Sequence, residues 1–196
     1  TPVQGKSDYL TAVIQRTDPK FMRSFMPQMD VIMEKTLQVH PSDSTMMGLA
    51  AIWYYSTERM DDAQRWFALN SETYPESISA RASLVEFLMY AQKWEDRSVE
   101  GRKAFEDFPQ ESAFLEMASV GDFNLERYDD VMDICDRVLQ VAPRDSSKTL
   151  RAWSTKADIY MKLGDSSKAY KAYDKALKIN PDYVYVLNNY AYYLSE

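Results

Sequence analysis

The stretch Trp153-Ser154-Thr155-Lys156-Ala157-Asp158-Ile159-Tyr160, followed by Leu163-Gly164-Asp165, Ala169, Tyr173, Ala176 and Pro181, decides how this chain folds. Trp153, Lys156, Ala157 and Tyr160 recur at three- and four-residue spacing, which gathers them on one face of a helix. Ala169, Tyr173 and Ala176 do the same on a second segment. Small residues at 157 and 169 let two helices approach closely, and the rings at 153, 160 and 173 fill the space beside them. Between the segments, Gly164 can take a left-handed backbone without steric cost, and Asp165 or Ser166 can cap the next helix. Proline lacks an amide donor and clashes with the preceding turn, so Pro181 ends the second segment. The stretch reads as a helical hairpin.

Working outward, prolines at 41, 75, 109, 143 and 181 leave successive gaps of 34, 34, 34 and 38 residues. A fixed proline period marks a recurring place where a helix must stop, and 34 residues is the length of one helix–turn–helix unit in a stacked array. Aligned on these prolines, the units span 10–43, 44–77, 78–111, 112–149 and 150–183, with a partial sixth over 184–196. Together they form one domain over 1–196. The long fourth gap places its surplus at Arg144–Thr149, where about one extra helical turn would absorb it. Pro19 and Pro27 break what should be two clean helices in the first unit, and the polar start Thr1–Ser7 reads as a flexible lead-in.

The 196 residues are 45% hydrophobic, enough for a continuous core, and no stretch approaches the apolar length of a membrane helix. The net charge of −7 argues against nucleic acid, where Lys and Arg neutralising phosphate dominate affinity. One cysteine, Cys135, excludes an intrachain disulfide and leaves the redox compartment open. A start at Thr1 fits either a removed targeting segment or a trimmed chain. Of the two, an exported or periplasmic location is favoured over a cytoplasmic one.

The fifth unit, Trp153-x-x-Lys156-Ala157-x-x-Tyr160, Ala169-x-x-x-Tyr173, Ala176 and Pro181, resembles the tetratricopeptide repeat. Its departures are Lys156 for leucine and Ala157 for glycine. The second unit keeps Ala51, Tyr54, Ala63, Phe67 and Pro75; the third and fourth are looser, keeping Leu84, Leu88, Ala104 and Pro109, then Leu115, Leu139 and Pro143. The resemblance implies an all-α, right-handed α-α superhelix (solenoid) of such hairpins, non-catalytic, without cofactor or metal.

In that family the first helix of each hairpin lines a concave surface that binds a protein or peptide segment. Carried onto this chain, the lining positions are Ile52, Tyr55, Glu86, Met89, Tyr90, Glu116, Val120, Phe123, Asn124, Arg151, Asp158, Lys162, Tyr185, Asn188 and Tyr192, with Gly48, Ser56 and Ser154 beside them. Each could equally pack against a neighbouring repeat. Receptors of this family that hold chaperone tails pair Lys and Asn at two of these positions; no such pair occurs here, which argues against that ligand.

Other signals have structural readings. His40 stands at a helix end, where positive charge is favoured. Cys135 takes a ring's place and reads as buried packing. Asp61-Asp62 and Asp129-Asp130 open second helices and complement their dipoles. Lys168, Lys171, Lys175 and Lys178 form a solvated stripe. No phosphate loop, zinc spacing or nucleophile motif is present.

Tyr183–Leu194, however, is apolar around much of its circumference, whereas a closing helix carries a polar outer face. Either the native chain continues past Glu196, which is favoured, or two chains cover each other as a homodimer through residues 183–194. The leading function is a peptide-binding scaffold. Its rivals are self-association and a regulatory arm of a larger protein.

Overall fold

The computed structural model describes residues 3–15 and 19–195. Among these the chain is all-helical, with eleven helices and no strand. They are α1 (Val3–Ile14), α2 (Pro19–Val39), α3 (Ser44–Ser56), α4 (Met60–Thr73), α5 (Ile78–Tyr90), α6 (Trp94–Asp107), α7 (Ala113–Asn124), α8 (Tyr128–Val141), α9 (Ser146–Lys162), α10 (Ser166–Ile179) and α11 (Val184–Ser195). Each proline of the series stands two residues beyond a helix end: Pro41 after α2, Pro75 after α4, Pro109 after α6, Pro143 after α8 and Pro181 after α10.

The turns inside the hairpins repeat as strictly. Glu58, Gln92, Glu126 and Gly164 all take left-handed backbone, with φ of 62°, 54°, 58° and 77°. Their spacing reproduces the proline gaps, although only the last is glycine. Around Glu58 the amide of Arg59 reaches the Tyr54 carbonyl at 2.9 Å and that of Glu58 reaches Tyr55 at 3.0 Å. Arg127 to Asp122 and Asp165 to Tyr160 repeat the bond from Arg59 to Tyr54, which spans five residues. This pairing satisfies the last carbonyls of the first helix.

Two compact units divide the chain, Thr1–Gln92 and Lys93–Glu196. In the first, α3 packs along α4, α4 against α5, and α1 and α2 on α3. Leu10, Met33, Met46, Trp53, Ala63 and Leu88 share its core. Trp53 is fully buried and its indole N–H donates to Asp30 Oδ1 at 2.8 Å. Arg59 clasps the same carboxylate at 2.7 and 3.0 Å, tying α2 to the turn before α4. Burial works to raise the Asp30 carboxyl, but the bonds from Arg59 and Trp53 outweigh it and hold its pKa below the ordinary value.

Two expectations for the first unit are corrected. The stretch expected as a flexible lead-in is helical from Val3 onward, and Leu10, 1% exposed, anchors α1 in the core. Thr1 and Pro2, the rest of that stretch, lie outside the described residues. Pro19 opens α2 rather than breaking it, and α2 continues through Pro27 for 21 residues. A proline inside a helix costs about 3 kcal/mol. Burying Met29, Met33 and Leu37 on the next turns returns about 1.5–3 kcal/mol for each side chain.

In the second unit α6 packs on α7, and the contacts then run in order through α8, α9, α10 and α11. Two glycines set the α6–α7 approach. A Cβ at Gly101 would lie 3.0 Å from Ala118, and one at Gly121 only 2.6 Å from the Trp94 carbonyl. Beside them Asp122, 1% exposed, accepts from Ser98 at 2.6 Å and Arg102 at 2.5 Å. The surplus of the fourth gap became the first turn of α9, where Asp145 accepts from the Lys148 amide at 3.0 Å.

Candidate functional site

The expected lining residues stand on α3, α5, α7, α9 and α11, the first helices of their hairpins. In the first unit Ile52, Tyr55, Glu86 and Tyr90 come together, with Phe67, Ser83 and Phe87, around a groove of about 280 Å³. Its walls are aromatic. The Tyr55 ring lies 6.0 Å from Tyr90 at 43° and 6.1 Å from Phe87 at 87°. Ile52 is 42% exposed and Tyr90 60%, a large apolar surface for one groove. Met89, half-buried, lies outside this lining.

In the second unit Glu116, Val120 and Arg151 share a smaller groove of about 170 Å³ with Ser119, Cys135, Lys148 and Thr155. Glu116 is already engaged, since Arg151 reaches its Oε2 at 2.7 and 2.8 Å. Asn124 turns back on its own helix and donates to the Val120 carbonyl at 2.7 Å. Lys162 sits 5.6 Å from the centre of the Phe123 ring, within cation–π range.

Asp158 has a structural role. Its Oδ1 accepts from Tyr173 at 2.5 Å and from Asn189 at 3.1 Å, and its Oδ2 accepts from Tyr185 at 2.5 Å. This carboxylate joins α9, α10 and α11. Burial, then the bond to Asp158, raises both phenol pKa values well above their ordinary range. Asn188 and Tyr192 stay exposed on α11, as do Val184 and Leu187, while Val186 is buried against α10. Of the flanking residues, Ser154 is buried and donates to the Leu150 carbonyl at 2.8 Å.

Sequence reasoning did not mark Phe67 and Phe87 as groove walls or Tyr173 and Asn189 as partners of Asp158. Phe67 and Tyr173 lie on second helices, so position within a first helix could not find them; Phe87, next to Glu86, gave no separate signal. Lys156, which stands where the repeat carries leucine, is buried with its ammonium 2.5 Å from Asp136. Cys135 is buried as expected, and burial pushes its thiol up to about 12. Lys6 Nζ donates to His40 Nε2 at 2.9 Å, so the imidazole acts as an acceptor at the end of α2. Among the described residues no group of acidic, His or Cys side chains could hold a metal, and no helix is long and apolar enough to cross a membrane.

Residues 150–183 match the family model described as tetratricopeptide repeat. No curated protein sequence matches the chain. Among solved structures, the crystal structure of YrrB, described as a TPR protein with an unusual peptide-binding site, aligns with a TM-score of 0.66 at 17% identity. That alignment covers 94% of this chain and 99% of YrrB. A crystal structure of MamA aligns at 0.65 and 13% identity over 91% of this chain and 94% of its own. A thermophilic TPR protein from Thermus thermophilus aligns at 0.58 and 17% identity, over 85% and 89%. At such identities the likeness speaks for the fold.

Proposed function

We propose that this chain, a tetratricopeptide-repeat protein, is a non-catalytic scaffold that binds a protein or peptide segment on the inner faces of its first helices. One observation carries the reading: the exposed aromatic groove of Ile52, Tyr55 and Tyr90, on positions that the family uses for ligands. Rigid aromatic walls offer large contact area at low ordering cost. The peptide-binding site named for YrrB supports the same use of this fold.

The test is selection of a phage-displayed library of random linear peptides on the intact chain. Recovery of binders that the Tyr55→Ala/Tyr90→Ala variant no longer retains is the expected result. Binders that ignore both substitutions, or none at all, would overturn it. A second reading, self-association through residues 183–194, is favoured by the exposed Val184, Leu187 and Tyr192 of α11. Acidity of the chain weighs against nucleic acid as a partner.

A further inference from the structure

We infer that the groove of the first unit takes a basic side chain, arginine before lysine, flanked by apolar residues of the bound segment; this rests on the peptide-binding reading above. The inner faces carry three carboxylates at lining positions, and two are already occupied. Glu116 is held by Arg151, and Asp158 has both oxygens taken by Tyr173, Asn189 and Tyr185. Glu86 is exposed and, among the described residues, has no hydrogen bond or ion pair. It is an open carboxylate on the wall of an aromatic groove.

Placement makes that carboxylate selective. Glu86 and Tyr90 stand four residues apart on α5, the spacing at which helical side chains are neighbours. A guanidinium laid on the face of Tyr90 can fork its N–H donors to Glu86, and its aliphatic stem then runs along Ile52 and Tyr55. Ring faces are negative and attract the same cation, so carboxylate and rings act in one direction. Arginine suits this better than lysine because its planar fork both stacks and pairs bidentately. An acidic side chain in the same place meets carboxylate and ring faces of its own sign. The apolar neighbours of the arginine fill the space beside Phe67 and Phe87.

The same peptide selection, repeated on Glu86→Arg, tests the charge. Wild-type binders are expected to be enriched in arginine beside aliphatic or aromatic residues, and Glu86→Arg binders in aspartate and glutamate. Glu86→Gln should weaken a selected arginine peptide about two- to fivefold, and should leave its norleucine-substituted version unaffected. Groove binders without basic enrichment, or an arginine peptide indifferent to Glu86→Gln, would overturn the inference and leave peptide binding standing. Failure to select any peptide would remove both. Because Glu86 is exposed, its variants keep the helical circular dichroism of the parent, which separates lost binding from lost folding.

Discussion

Three hydrogen bonds meet on the carboxylate of Asp158, and they explain a residue that the family's pattern offers to a ligand. Two of the donors are phenols whose ionised forms burial and Asp158 both disfavour. Raised folded-state pKa values give stability that is complete below the unfolded tyrosine value of about 10 and is lost as pH climbs above it. Urea midpoints should therefore hold to about pH 10 and then fall, with a shallower fall in Tyr185→Phe. Asp158→Ala, which strands a fully buried Tyr173 hydroxyl, should cost about 2–3 kcal/mol at neutral pH. An unchanged urea midpoint would return Asp158 to the binding surface. Asp30 follows the opposite sign: its lowered pKa gives stability that is present above about pH 4 and lost on further acidification.

At the scale of the element, the hairpin turns show how strongly the repeat imposes its geometry. Glu58, Gln92 and Glu126 occupy the left-handed place that Gly164 fills in the fifth unit. Left-handed backbone costs a side-chain-bearing residue about 1–2 kcal/mol. Glycine avoids that cost but gives back part of the gain through the freedom it adds to the unfolded chain. Glu58→Gly and Glu126→Gly should each stabilise by about 0.5–1 kcal/mol, read from urea unfolding. A loss of stability in both would mean that the glutamates make contacts beyond their backbone. Inside the helices glycine has a different use. Gly121 lies so near the Trp94 carbonyl that any side chain would force α6 and α7 apart, whereas Gly48 meets only the end of Asn70 at 3.8 Å.

At the scale of the whole molecule, α11 presents exposed apolar side chains. Val184 is 65% exposed and Tyr192 57%, while Val186 of the same helix is buried. If copies cover this surface in solution, the light-scattering mass should rise above 22.8 kDa with concentration. The Leu187→Glu/Tyr192→Lys variant should then hold the monomer mass. A constant 22.8 kDa in the parent would end the self-association reading and leave the inner faces as the interaction surface. The hairpin period was legible from spacing alone, because a proline cannot continue a helix and small residues must meet where helices cross. So were the burial of Cys135 and the extra turn of α9, which follow from local pattern. The partners of a long side chain were not legible: Asp158 and Glu86 hold similar register positions, yet one is saturated and the other open. The resemblance to the repeat family offered both carboxylates as lining positions, because register within one helix is local. Only the tertiary structure decided which carboxylate remained free, because that depends on rings and donors from helices distant in the chain.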